Sequence, residues 1–74
     1  DHNIDISEFK LTSRLAGQTV LEAQLRNRYG VNIIAISRGG WLTTDITPDY
    51  TLAEGDTLVV IGERDKIKRL EDAL

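Results

Sequence analysis

The chain has 74 residues, nine Lys and Arg against twelve Asp and Glu, a formal charge of -3, one histidine and no cysteine. It therefore carries no disulfide framework, no thiolate nucleophile, no Cys-based metal site and no His-based triad or metal site around a lone His2. The acidic balance speaks against binding of a nucleic-acid polymer, and no apolar run approaches the roughly 20 residues that cross a bilayer.

Residues 1–74 make a single domain near the lower size limit for independent folding. Such a chain leaves much apolar surface uncovered, which favours a homodimer. With neither signal peptide nor membrane span in view, the expected compartment is the cytoplasm and direct membrane insertion is not expected. Because the sequence starts at Asp1 rather than Met, Asp1 is expected to be a domain boundary within a longer protein.

Along residues 4–11 apolar side chains alternate, but the parity changes between Ile6 and Phe9, which predicts a bulged strand or two short strands. The next stretch, 12–18, lacks a clear period and is a connection with Leu15 plugged into the core. Thr19, followed three residues later by Glu22, forms a capping-box pattern that starts the first helix. Leu21, Leu25 and Tyr29 are its buried stripe, with Glu22, Gln24, Arg26 and Arg28 off it. Gly30 stops it in the left-handed conformation.

Residues 31–38 read as the central strand, with apolar groups on both faces and so in need of cover on two sides. Strict alternation puts Val31, Ile33, Ala35 and Ser37 on one face and Asn32, Ile34, Ile36 and Arg38 on the other. Polar ends on an otherwise apolar row need partners once covered. Gly39-Gly40 is a hairpin turn into a return strand at 41–44, where Trp41 is expected to cover sheet surface. Residues 45–52 form a loop stiffened by Pro48, and 53–56 a turn. A second strand at 57–61, apolar on both faces, ends at Gly62, and a closing helix follows over 63–74 with Ile67, Leu70 and Leu74 on its buried stripe. The predicted architecture is α+β, order β-α-β-β-β-α, with one mixed sheet and two helices.

Several segments in this order resemble a known family. They are Leu15-Ala16-Gly17-Gln18-Thr19-Val20, Leu25-Arg26, Tyr29 through Arg38, Thr47-Pro48, and Leu52 through Gly62. Together they are similar to the TrkA-C domain, the C-lobe of the regulator-of-potassium-conductance (RCK) family, and most similar to gating subunits of bacterial Ktr-type potassium uptake systems. The resemblance implies a dimeric, cytoplasmic regulatory domain behind a nucleotide-binding RCK N-lobe, attached peripherally to a membrane potassium channel or transporter subunit.

Some members of that subgroup bind cyclic di-AMP at the dimer interface, and the resemblance carries five positions over. Arg26 falls at a phosphate-binding arginine, Asn32 at an asparagine for polar contact, and Ile33 at an aliphatic residue against adenine. Val20 and Pro48 fall at apolar positions lining the base. The chemistry is coherent, since two phosphates and two flat purines need cationic or amide donors between narrow apolar walls. A two-fold ligand also matches a two-fold dimer that presents one half-site twice. No cofactor of the domain itself is expected beyond this ligand.

Read without the family, Arg26 and Arg28 are solvated helix residues, Asn32 a helix-end cap, Ile33 and Val20 core, and Pro48 a turn device. Two other readings follow: a TrkA-C domain that dimerises and takes a different small ligand or ion, or serves a different transporter, and a small enzyme. Against the enzyme, neither a nucleophile with its base nor a metal cluster is available, Glu22, Glu54, Asp56, Glu63 and Asp65 form no catalytic pair, and Gly39-Gly40 lacks a phosphate-loop pattern.

Overall fold

The structure, a computed structural model, describes residues 3–74; Asp1 and His2, the latter the only histidine, lie outside the described residues. The elements are β1 (Ile4–Lys10), α1 (Val20–Ala23), α2 (Leu25–Tyr29), β2 (Asn32–Arg38), β3 (Trp41–Thr43), β4 (Thr57–Glu63) and α3 (Arg64–Ala73). This is the expected β-α-β-β-β-α order, with the first helix in two pieces.

The four strands make one sheet in the order β1-β4-β2-β3, and every pairing is antiparallel rather than mixed. The reason is topological. β1 and β2, joined through the first helical segment, run parallel, but β4 lies between them and runs against both, so no parallel ladder forms.

The bulge expected in the first strand is found in β2. β1 pairs regularly with β4 from Ile4 opposite Glu63 to Lys10 opposite Thr57. Its parity conflict is resolved by exposure: Phe9 packs against the core, whereas Ile4 and Ile6 remain exposed. In β2 the register slips by one residue between Ile33, opposite Val60, and Ala35, opposite Val59. An extra residue reverses the alternation beyond it. Ile36 therefore joins Leu58, Val60 and Val31 in the core, and strict alternation from Val31 to Arg38 does not hold.

The core lies between one sheet face and the helices, where Leu11, Leu15, Ala23, Leu25, Leu52, Ile67 and Leu70 close over Val31, Ile36, Leu58 and Val60. The opposite face is not covered in the single chain. Ile4, Ile6 and Leu42 are 51, 63 and 60 % exposed there, while Trp41, expected to cover sheet surface, pairs with Arg38 on the other side of β3 and is 76 % exposed. β4 also runs past Gly62 to Glu63, because β1 pairs with it to that point.

The capping box forms as predicted. The Thr19 amide donates to Glu22 Oε1 at 2.9 Å and the Glu22 amide donates to Thr19 Oγ1 at 3.1 Å. Gln24 interrupts the helix in the left-handed region at φ 51 and ψ 42. The break re-aims the apolar stripe: Leu25 is buried, Tyr29 packs at the core's edge, and Ala23 takes the buried place expected for Leu21, which is 63 % exposed. Gly30 caps α2 at φ 72, as its position predicts. Gly39 and Gly40 are both at positive φ, as a tight hairpin between right-twisted strands requires. The closing helix follows its prediction, with Ile67 and Leu70 buried and Leu74 packed at the core's edge.

Candidate functional site

An open groove of about 400 Å³ runs between the broken helix, the start of β2 and the loop that carries Pro48. Val20 on α1, Arg26 on α2, Asn32 and Ile33 on β2, and Pro48 in the loop after β3 all line it. Three local features bring them there. The Gln24 break lets Val20 and Leu21 on α1 and Arg26 on α2 border the same space. β3 pairs only with Ile36, Ser37 and Arg38, so the first half of β2 meets no strand on that side. The loop is laced to α1, with the Leu21 amide donating to the Pro48 carbonyl and the Val20 amide to the Tyr50 carbonyl, both at 2.9 Å.

The polar end of the groove is a pair of side chains. Arg26 Nε donates to Asn32 Oδ1 at 2.6 Å. Leu21, Ile46, Gln24 and Asn27 also line the space and were not anticipated as site residues. Helical periodicity had assigned Leu21 to the core, and an isolated Ile46 in a loop carries no signal of its own. Among the described residues no Asp or Glu lines the groove. An apolar trough with one guanidinium and a carboxamide at its end suits a ligand with a flat apolar part and an anionic part.

Behind the loop lies a second polar cluster with a different character. Asp56, 1 % exposed, receives Arg38 in fork geometry: Nε donates to Oδ1 and Nη2 to Oδ2, each at 2.8 Å. Arg38 Nη2 also donates to the Thr51 carbonyl at 2.8 Å, its guanidinium lies 5.1 Å from the centre of the Tyr50 ring, and the Ala53 amide donates to Asp56 Oδ2 at 2.9 Å. The hydrogen bond from Arg38 holds the Asp56 carboxyl below the usual carboxylate range, against the opposing effect of burial, with the Ala53 amide adding to the lowering. Arg38, the polar end of the central strand, thus finds its partner in the turn read from sequence as structural. The cluster fixes the far side of the loop whose near side lines the groove.

Among the described residues no group of three or more His, Cys, Asp or Glu side chains could hold a metal ion, and no helix is long and apolar enough to cross a membrane.

The fold has close counterparts. The chain is 39% identical over 64 residues to the Ktr system potassium uptake protein C of Bacillus subtilis (strain 168), a match covering 86% of this chain and 29% of that protein. It is 31% identical over 67 residues to the Ktr system potassium uptake protein A of the same organism, covering 90% and 30%. The chain therefore spans less than a third of these curated relatives. Among solved structures it matches the RCK C domain of the potassium transport protein KtrA in complex with cyclic diadenosine monophosphate, with TM-score 0.91 and 37% identity over 96% of this chain and 84% of that one. It also matches the GsuK channel bound to NAD, with TM-score 0.86 and 28% identity over 95% of this chain and 13% of that one. The family model of the TrkA-C domain matches residues 6–74, nearly the whole chain, and the chain belongs to that family.

Proposed function

We propose that this domain is the ligand-sensing part of a potassium channel or transporter gating subunit, and that two copies bind one cyclic di-AMP across their shared two-fold axis. The observation that carries the reading is the groove: Arg26 and Asn32, hydrogen-bonded to each other, close one end of a trough walled by Val20, Ile33 and Pro48 and lined by no Asp or Glu among the described residues. The likeness to the KtrA RCK C domain in complex with the same dinucleotide supports it. Leu21, exposed at the groove's rim, supplies apolar surface that a second copy would cover. On this reading the domain is non-enzymatic and cytoplasmic, works behind an RCK N-lobe, and acts on a membrane subunit through that lobe. Occupancy shifts the dimer only as far as the ligand prefers one arrangement over others.

Calorimetry on the purified chain tests this. Cyclic di-AMP is expected to bind at one per dimer. Arg26→Ala is expected to weaken binding by about 1.5 to 3 kcal/mol for each charged hydrogen bond lost. A chain that ignores the dinucleotide, or an Arg26→Ala variant that binds it undiminished, rules the reading out. The likeness to a channel bound to NAD favours a second reading, a TrkA-C domain with another nucleotide ligand or another transporter. A melting-temperature rise with NAD and none with cyclic di-AMP would select it, since a ligand specific to the folded state raises that temperature.

A further inference from the structure

The broken helix has a second concave side. Residues two apart on a helix point about 200° apart. While Arg26 faces the groove, Arg28 therefore turns to the opposite side of α2, where a smaller cavity of about 180 Å³ lies against the connection 12–18 and the end of α3. Leu25, 4 % exposed, lines both spaces and forms the partition between them.

The polar lining of this cavity is basic and held in place. Arg14 adjoins the buried Leu15, and its Nη1 donates at 3.0 Å to the Ala73 carbonyl, one of those that the end of α3 leaves without an intrahelical donor. The Arg28 guanidinium lies 5.3 Å from the centre of the Tyr29 ring, and its Nη2 donates to the Tyr29 hydroxyl oxygen at 3.5 Å. A hydroxyl that accepts one hydrogen bond keeps its own proton for another. Gln18 is pinned through its backbone, its amide donating to the Leu15 carbonyl at 3.1 Å and its carbonyl accepting from the Leu52 amide at 2.8 Å. Arg14, Gln18, Arg28 and Tyr29 can each offer a donor to the cavity while keeping these bonds, and among the described residues no Asp or Glu lines the space.

We propose that this cavity is a second binding site, for a tetrahedral phosphate group, either inorganic phosphate or the end of a small phosphate monoester. Two guanidiniums supply charge-assisted hydrogen bonds to the phosphate oxygens, and the Tyr29 hydroxyl and Gln18 carboxamide supply neutral ones. At under half the volume of the groove, the space suits one such group rather than a dinucleotide. The site stands on residues that the groove does not use, so it is independent of the dinucleotide reading.

Amide NMR titration of the purified chain with inorganic phosphate tests this, with sodium chloride at matched ionic strength as the reference. Saturable shifts are expected at residues 14–18, 28–29 and 73–74, and cyclic di-AMP added first should leave them in place. Arg14→Gln and Arg28→Gln are each expected to weaken phosphate binding about tenfold or more, the loss of one charge-assisted hydrogen bond. Arg14→Gln also removes a bond to the end of α3. Arg28→Gln, whose side-chain bond stays within α2, decides the matter if melting shows that the first variant does not fold. Glycerol 3-phosphate, titrated in parallel, separates the two sources: binding tighter than that of inorganic phosphate assigns the site to a monoester, equal or weaker binding to the free anion. Shifts that do not saturate, that chloride reproduces, that centre on the groove, or that persist undiminished in Arg28→Gln overturn the proposal. The two arginines would then serve only to cap α3 and to cover Tyr29.

Discussion

Arg38→Ala is expected to destabilise the domain by about 3 kcal/mol, the lower end for removing one partner of a buried ion pair, because Arg38 itself is 49 % exposed while Asp56 is 1 % exposed. For a domain of this size that lowers the melting temperature by roughly 10 to 20 °C. The loss comes from what remains. Asp56 would keep only the Ala53 amide, and the Thr51 carbonyl would lose its side-chain donor. The pH dependence identifies the cause. In the unsubstituted chain the Asp56 carboxyl is held below its ordinary value by Arg38, so its contribution is present above about pH 4, the unfolded value, and is lost as pH falls through the lower folded value. In Arg38→Ala the desolvation that now opposes Arg38 acts without it and pushes the carboxyl up, so protonation relieves the variant. The stability gap between the two proteins should narrow on acidification from pH 7 toward pH 4, and adding Asp56→Asn to Arg38→Ala should recover part of it. Denaturant titrations at several pH values read both effects; a pH-independent gap would mean that lost packing, not an orphaned charge, is responsible.

Leu58→Ala is expected to cost about 2 to 5 kcal/mol, the range for truncating a fully buried leucine in a core that relaxes only partly. Leu58 is 0 % exposed and faces Ile36, also 0 % exposed, across the β2–β4 ladder. Against the total stability of about 5 to 15 kcal/mol usual for domains, this substitution, like Arg38→Ala, removes a large share of the margin. Leu42→Ala, on the open sheet face at 60 % exposure, is the control and should stay within about 0.5 kcal/mol. Urea midpoints decide it: equal shifts for the two leucines would place the core on the wrong side of the sheet.

Elements with local chemical signals were legible in the sequence. The Thr19–Glu22 capping box, the Gly30 cap, the Gly39-Gly40 turn and the closing helix with Ile67 and Leu70 inward all follow from residues within one or two turns of each other. The misreadings concern long-range pairing. No local feature of the β2 sequence announces that Ile34 is the extra residue, because the slip is set by the register against Val59 and Val60 on a strand some 25 positions away. The same limit displaced the bulge onto the first strand, where the parity change is instead met by leaving Ile4 and Ile6 outside. At the groove, the five residues carried over from the family were individually ordinary in sequence. Leu21 and Ile46 were missed because the left-handed turn at Gln24 and the lacing of the loop decide which side chains border the space.

The broken helix has a consequence for how tightly the groove is held. Segments of four and five residues are far below the length at which a helix persists unaided, so α1 and α2 owe their order to what they touch. Much of that support is main-chain: Leu21 to Pro48, Val20 to Tyr50, Gly17 to Leu52 and Leu52 to Gln18. Residues 17–24 and 48–52, tied to each other by these bonds, are therefore expected to open together rather than separately. A molecule seated between them suppresses that opening, and slowed amide exchange confined to these two segments would be the earliest signature of an occupied site.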